Sequence, residues 1–135
     1  MIFMNVALIA HDKKKELMAS FCVAYRNIFK RHMLFATGTT GAIIGEATGL
    51  NIHRFLPGLA GEQQIAARAV YNEMDLIIFF RDPITAKSHE PGINSLLKAC
   101  DENNIPFATN LGTAEILVKG LDRGDLDWRG ILKTS

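Results

Sequence analysis

Four side chains of this sequence could take part in acid–base chemistry: His11, Glu62, Asp82 and His89. Each follows an apolar run or lies in a loop close behind one, the position at which binding and catalytic residues are most often found. A carboxylate base beside a histidine suits abstraction of a proton next to a carbonyl, as in triosephosphate isomerase. Structural interpretations remain open, since Glu62 could begin a helix and Asp82 could form a turn with Pro83.

The segment ATGTTG, which spans residues 36–41, could hold an anion. It falls where a strand passes into a helix, so free amides and the helix dipole would favour a phosphate there. It lacks the GxxxxGK[ST] and GxGxxG patterns of nucleotide sites, which favours a small phosphate ester. In the alternative interpretation, Thr39 or Thr40 only caps the helix.

Three consecutive lysines, residues 13–15, come shortly after His11. A lysine in this position could supply a positive charge to a phosphate. A run of three lysines more often forms a solvated helix face, and we expect that outcome for at least two of them. His11 itself directly follows an apolar run, so we expect it at the edge of the sheet together with the other polar loops.

Five short apolar runs predict the strands that position these residues. Three of the runs are almost continuously apolar, as expected for strands that are buried on both faces of a sheet. The five runs are residues 6–10, 34–37, 53–56, 76–80 and 107–110. Helical periodicity occurs between them, at residues 13–30, 41–48, 62–73 and 91–103. The alternation of strand and helix predicts a doubly wound α/β domain with a parallel sheet covered on both sides.

A polar segment follows each of the five apolar runs. The segments are HDKKK, GTTG, PGLAGEQQ, RDPITAKSHEP and LGTAE, in chain order. Ligands of open α/β sheets bind at the carboxyl ends of the strands, where these segments must meet. We therefore predict a small-molecule site at this edge.

The composition of the chain narrows the classes of function. Its 135 residues suffice for one domain, which we assign to residues 1–135. The formal net charge is +1, so neither nucleic acid nor a membrane is an expected partner. Cys22 and Cys100 form no CxxC pattern and favour free thiols in a reducing compartment, from which we expect a cytoplasmic protein. No Cys/His spacing typical of a zinc site is present.

The polar segments and their strands together resemble the methylglyoxal synthase family. The matching segments, in order, are ALIAHDKKK, LFATGTTG, EATGL, GEQQI, LIIFFRDPITAKSHEP and IPFATNLGTAEIL, and they cover nearly the whole chain. The resemblance implies a three-layer α/β/α domain with a five-stranded, mainly parallel sheet, usually assembled as a homohexamer. It also implies conversion of dihydroxyacetone phosphate to methylglyoxal and inorganic phosphate, without a cofactor or a metal.

The resemblance also implies a role for each matching site residue. His11 and Lys15 match substrate contacts in the first loop, and Asp82 matches an active-site aspartate. His89 matches the histidine that polarises the substrate oxygens, and Glu62 falls where the family has its catalytic aspartate. The residues at the phosphate-contact positions are Thr37, Gly38, Thr39, Thr40, Pro57 and Gly58.

Two loops depart from the family pattern. The third loop, PGLAGEQQ, is one residue shorter, with Pro57 in place of a serine and Glu62 in place of the aspartate. In the fourth loop Glu90 is retained, but Gly92 stands where a second carboxylate is usual. Two alternatives to a synthase therefore stay open: a non-catalytic phospho-ligand-binding domain, and a related lyase that acts on another small phosphorylated substrate.

Overall fold

Five parallel strands form one sheet in the computed structural model, which describes residues 2–84 and 91–134. The strands are β1 (Asn5–Ala10), β2 (Met33–Ala36), β3 (Ile52–Arg54), β4 (Leu76–Phe80) and β5 (Phe107–Ala108). They lie in the order β3-β2-β1-β4-β5, and each neighbouring pair is parallel. The chain therefore winds outward from β1 in both directions, which places a topological switch point between β1 and β4.

Helices cover both faces of this sheet, as the alternating pattern predicts. They are α1 (Lys15–Ala24), α2 (Arg26–Phe29), α3 (Gly38–Thr48), α4 (Gly58–Val70), α5 (Pro91–Asn103), α6 (Leu111–Arg123) and α7 (Asp127–Thr134), and a short 3₁₀ turn (Asp12–Lys14) precedes α1. None of the described helices is long and apolar enough to cross a lipid bilayer.

Successive residues of β1 belong to different cores, because side chains alternate across a strand. Val6 and Leu8 pack into the core beneath α1, α3 and α6. Ala7 and Ile9 pack into the core beneath α4 and α5. Every residue of β4 is buried, so the prediction of continuously apolar strands covered on both faces is confirmed.

The main differences from the predicted elements lie at helix starts. The helix predicted at 91–103 has those bounds, whereas those predicted at 41–48 and 62–73 begin at Gly38 and Gly58. The helix predicted at 13–30 is interrupted at Tyr25, and two C-terminal helices, α6 and α7, were not predicted. The strand predicted at 53–56 is β3, shifted by one residue at its start and two at its end.

Both cysteines are buried free thiols, as their positions on apolar helix faces predict. Burial raises the pKa of Cys22 to about 12, and it raises the pKa of Cys100 to about 12 as well. Reactivity of a thiol depends on its thiolate form, so both cysteines are unreactive at neutral pH.

His32 is a buried histidine that is held neutral at the start of β2. Its Nδ1 accepts the amide of Met4 at 3.1 Å, and only 8% of the residue is exposed. Burial lowers the pKa of His32, and the neighbouring charge of Arg31 lowers it further. Protonation of Nδ1 would break the bond to Met4 and bury a positive charge.

We expect the stability of the protein to fall as the pH is lowered from 7.5 to 5.5, in part through His32. Because its pKa is lowered in the folded state from the usual 6.5, the unfolded chain binds the proton more readily below that pH. His32→Asn keeps an acceptor for the Met4 amide, so its melting temperature should fall by a few degrees less over this range than that of the unmodified protein. His53→Asn, at an exposed histidine, should show the full fall; equal pH dependence in all three proteins would contradict the assignment.

Candidate active site

His11 and the backbone of Asp82 meet across the switch point between β1 and β4. His11 directly follows β1, and its Nδ1 accepts the amide N–H of Asp82 at 2.8 Å. A nitrogen that accepts a hydrogen bond carries no proton, so the neutral ring has its proton on Nε2. His11 is thus arranged as a neutral donor at the carboxyl edge of the sheet.

Asp82 takes part in a turn as well as in this contact. Its carboxylate oxygen Oδ1 accepts the amide of Ile84 at 3.1 Å, and the residue is 4% exposed. The turn-forming interpretation of Asp82 is therefore correct. Its role as an active-site aspartate stays a prediction, and what the structure shows is that its amide sets the tautomer of His11.

Lys15 is the lysine of the three-residue run that turns inward. Its Nζ donates to the carbonyl of Ala10 at 3.0 Å and to the Asp12 carboxylate at 2.7 Å, and its side chain is 14% exposed. The hydrogen bond and charge of Lys15 lower the pKa of Asp12. Since an ammonium group has three donors, one donor of Lys15 remains for an anion.

The first turn of α3 supplies amides rather than a side-chain cap. The N-cap residue is Thr37, whose side chain makes no capping hydrogen bond, so the alternative interpretation that Thr39 or Thr40 only caps the helix is wrong. The Gly38 amide donates to the carbonyl of Leu56 at 3.2 Å. The amides of Thr39 and Thr40 lie in the turn where a helix offers no acceptor of its own, so they are available to an anion.

Thr40 is more deeply placed than Thr39. Thr40 is 1% exposed, and its hydroxyl has no hydrogen-bond partner among the described residues. Thr39 instead lines a cavity of about 300 Å³ beside Phe55, Leu56 and Pro57. The two threonines therefore differ in access, although both belong to the same turn.

Arg54 is a residue beside this turn that the sequence analysis did not single out. Its Nε donates to the carbonyl of Gly38 at 3.0 Å, and the side chain lines the 300 Å³ cavity with Thr39 and Pro57. Its stem lies against Gly41, where an added Cβ would come within 2.7 Å of Arg54 Cγ. The sequence did hold a sign of this role, because Arg54 is a positively charged residue at the carboxyl end of the edge strand β3.

Glu62 lies on the second turn of α4 and not at the helix start. The helix begins at Gly58, which has φ +65° and therefore a backbone conformation that favours glycine. This corrects the predicted start at residue 62. The residues that precede Glu62 in α4 supply the first-turn amides, so the carboxylate stands one turn further along than a helix-start acid would.

One cavity of about 380 Å³ brings together predicted site residues from two separate segments. Its lining includes His11, Lys15, Gly58 and Glu62. The cavity lies at the carboxyl edge of the sheet, beside the start of α4 and the end of β1. A donor, a cation, a carboxylate and the start of a helix therefore face one small space, as proton abstraction from an anionic substrate requires.

A larger cavity lies elsewhere and contains none of the predicted site residues. It measures about 700 Å³ and runs along the edge strand β3 towards the end of α2. Its charged residues, such as Arg26 and Lys30, are exposed. We place the functional site at the smaller cavity, because acid–base groups meet there at a switch point of the sheet.

Two predicted residues cannot be placed. His89 and Glu90 lie outside the described residues, and Gly92 lies in the first turn of α5. Among residues 2–84 and 91–134, no group of three histidine, cysteine, aspartate or glutamate side chains is arranged to hold a metal ion.

Gly61→Ala should weaken anion binding at least tenfold, because the loop before α4 packs against the backbone of Gly61. An added Cβ would lie 1.8 Å from the carbonyl oxygen of Leu56 and 2.9 Å from Cγ2 of Thr37. The backbone must then shift where the two helix starts meet. Titration with inorganic phosphate in a calorimeter measures the effect.

Gly45→Ala is the matched control for that substitution. Gly45 also lies inside a helix, but an added Cβ there would have its nearest contact at 3.9 Å, with the carbonyl oxygen of Leu50. Alanine should stabilise the helix by about 1 kcal/mol and leave phosphate affinity unchanged. Equal phosphate affinities of the two variants would show that the contact at Gly61 does not shape the site.

Comparison with known proteins yields one family. The MGS-like domain family matches residues 18–109 of this chain. A methylglyoxal synthase from Caldicellulosiruptor saccharolyticus is 62% identical over 130 residues, which cover 96% of this chain and 92% of that protein. A methylglyoxal synthase from Listeria welshimeri is 57% identical, over 95% of this chain and 96% of that protein.

A solved structure shows the same architecture. The crystal structure of methylglyoxal synthase from Elizabethkingia anophelis NUHP1 superposes with a TM-score of 0.79 at 32% sequence identity. The match covers 86% of this chain and 77% of that chain. The fold and the sequence similarity therefore identify the same set of relatives.

Proposed function

This chain belongs to the methylglyoxal synthase family, and we propose that it converts dihydroxyacetone phosphate to methylglyoxal and inorganic phosphate. The observation that carries the proposal is the cavity in which His11, Lys15, Gly58 and Glu62 meet. A lyase of this kind needs a base for a carbon acid, a donor for the carbonyl oxygen, and cationic or amide groups for the phosphate.

Glu62 removes a proton from the hydroxymethyl carbon of the substrate. The electron pair of that C–H bond passes to the carbonyl oxygen and forms an enediolate. The enediolate then expels phosphate from the other terminal carbon as the C–O bond breaks. As it leaves, the phosphate takes the hydroxyl proton of the enediolate. The enolate that results accepts on its terminal carbon the proton held by Glu62 and becomes methylglyoxal, so one substrate molecule yields one methylglyoxal and one phosphate.

His11 donates from Nε2 to the substrate oxygens while its ring stays neutral. The Asp82 amide on Nδ1 holds the ring in this tautomer. A neutral imidazole stabilises a developing oxyanion through a hydrogen bond that is present before the reaction begins. By resemblance, His89 supplies a second donor to the same oxygens. We further propose that Asp82, which matches an active-site aspartate, helps to orient the substrate and to shuttle protons.

The phosphate is held between Lys15 and the starts of α3 and α4. Lys15 offers one remaining donor, and the first turns of the two helices offer amides at the positive ends of their dipoles. The phosphate contacts on these turns are Thr37, Gly38, Thr39, Thr40, Pro57 and Gly58. Holding the phosphate so that its C–O bond stands out of the enediolate plane favours elimination over isomerisation.

The altered third loop also belongs to this proposal. Glu62 replaces an aspartate on a loop one residue shorter, and the longer side chain adds about 1.5 Å of reach. Its place in the cavity with His11 supports the view that the two changes compensate for each other. Gly92 removes a second carboxylate and leaves Glu62 as the principal carboxylate at the reacting carbon.

We also propose a cytoplasmic homo-oligomer, a homohexamer by resemblance. Exposed apolar side chains on α7 support association, since Trp128 is 44% exposed and Leu132 is 64% exposed. Sedimentation equilibrium measures the mass directly; a monomer at micromolar concentration would overturn this assembly.

Incubation of the purified protein with dihydroxyacetone phosphate tests the function. Equal molar release of methylglyoxal and phosphate is the expected result. Tight binding of phosphate esters without release of methylglyoxal from any of them would instead identify a phospho-ligand-binding domain. Turnover of a different phosphorylated substrate would identify a related lyase.

A further inference from the structure

We propose that Gln64 is a positioning residue that fixes the spacing of the two helix starts in the site. This inference rests on the proposed function only where its tests measure kcat and KM; the tests that measure phosphate affinity do not depend on it. The structural basis is one peptide segment, at Leu56, that contacts both starts. Gln64 holds this segment through its side-chain amide.

The contact between Gln64 and Leu56 is a direct hydrogen bond. The Leu56 amide donates to Oε1 of Gln64 at 2.8 Å. The backbone N–H can only donate, so the oxygen of the side-chain amide must face it. Leu56 is 56% exposed, so the importance of this residue lies in its backbone contacts.

The carbonyl of Leu56 touches both helices. It accepts the Gly38 amide of α3 at 3.2 Å. It also packs so closely on Gly61 of α4 that any Cβ there would be 1.8 Å away. A shift of the Leu56 peptide therefore moves the α3 amide turn relative to the turn of α4 that carries Glu62.

Helix geometry explains why Gln64, and not its neighbour, makes this contact. Gln64 lies three residues after Gly61, hence on the same face of α4, and helix side chains lean towards the N-terminus. Glu62 lies two residues earlier, about 200° around the helix. One turn of α4 thus presents Glu62 to the cavity and Gln64 to the loop behind it.

Gln64→Met tests the proposal, because methionine keeps the length of the side chain and removes the acceptor. We expect kcat/KM to fall about ten- to a hundredfold, with kcat lowered and KM raised, since a displacement of about 1 Å is costly at a catalytic site. The affinity for inorganic phosphate should fall as well. The melting temperature should change by about 4 °C or less, because the bond lies at the surface.

Gln64→Glu should keep most of the activity of the unmodified protein, because the glutamate carboxylate still accepts a hydrogen bond from the Leu56 amide. Gln63→Met and Gln63→Glu are matched controls at an exposed neighbour, and Gln63→Glu corrects for the added charge. Gln64→Met with unchanged kcat and phosphate affinity would overturn the proposal. Equal losses in Gln64→Met and Gln64→Glu, after that correction, would also overturn it.

The phosphate titration separates this proposal from the proposed function. If the unmodified protein releases no methylglyoxal, the synthase assignment fails, while the phosphate affinities of the same variants still test Gln64. Weaker phosphate binding in Gln64→Met than in Gln63→Met would then support the positioning role without catalysis. Equal binding in these two variants would refute it.

Discussion

Glu62→Gln is expected to lower kcat for methylglyoxal release about a thousandfold, because a positioned general base contributes roughly 10² to 10⁴ to such a rate. Glutamine has the same shape but cannot accept the carbon-bound proton. The proposed phosphate contacts lie on other residues, so affinity for inorganic phosphate should stay within about twofold on this argument. Steady-state kinetics with dihydroxyacetone phosphate, together with calorimetry, measure both quantities.

Glu16→Gln is the control, since Glu16 is an exposed carboxylate in the first turn of α1. It should leave kcat unchanged. A Glu62→Gln variant that keeps more than a tenth of the original kcat would show that another group is the base. Loss of phosphate binding together with kcat would show that Glu62 shapes the site rather than carrying the proton.

Glu62→Asp tests whether the length of the side chain matters as well as its carboxylate. By resemblance, this variant restores the aspartate of the family pattern in a loop that is one residue shorter than that pattern. If the longer side chain compensates for the missing residue, aspartate falls short of the substrate carbon and kcat drops about a hundredfold. Full activity of this variant would show that the loop length does not matter at this position.

The layers of the fold could be predicted because they depend on apolar periodicity. The helix α5 has its predicted bounds, and its residues Ile93, Leu96 and Cys100 are buried as a regular pattern requires. The carboxyl-edge site followed from a general property of open sheets. Strand and helix patterns are local, so the single sequence sufficed to identify the five strands and the helices as far as α5, although α6 and α7 were missed.

The starts of α3 and α4 could not be predicted in the same way. Their first turns, GTT and GLAG, contain small residues that carry no periodicity. Both turns are held by tertiary contacts at the Leu56 peptide, which is distant in sequence from Gly38. The tautomer of His11 likewise depends on an amide 71 residues away, so no local pattern could reveal it.

Arg129 joins the C-terminal helix to the amino end of the sheet, and sequence patterns gave no sign of this role. Its guanidinium donates to Asp75 Oδ1 at 3.2 Å and to the carbonyls of Asn103, Asn104 and Met74 at 3.0, 2.7 and 3.0 Å. A fifth bond goes to the side-chain oxygen of Asn72. Most of these partners are backbone carbonyls, which have no signature in a sequence.

The position of the Arg129 guanidinium explains why we expect it to stabilise the folded state strongly. Asn72 and Asn104 follow the ends of α4 and α5 and have φ values of +56° and +55°, so the chain turns sharply at both helix ends. A cation there meets the negative ends of two helix dipoles. All five donors of the guanidinium are in use, and the side chain of Arg129 is only 1% exposed.

Arg129→Met is therefore expected to lower the free energy of unfolding by about 3–5 kcal/mol, the cost of breaking a buried ion pair by removing one partner. Arg123→Met removes an exposed arginine that pairs with Asp125, and it should cost less than about 1 kcal/mol. Denaturant unfolding of both variants measures the difference.

A double variant separates the contribution of the ion pair to stability from that of the hydrogen bonds to the carbonyls. Adding Asp75→Asn to Arg129→Met removes the buried carboxylate that has lost its cation, so part of the stability should return. The rest should stay lost, because the carbonyls of Asn103, Asn104 and Met74 still lack their donor. Full recovery in the double variant would assign the whole effect to the ion pair. A loss for Arg129→Met no larger than that for Arg123→Met would show that α7 does not depend on this guanidinium.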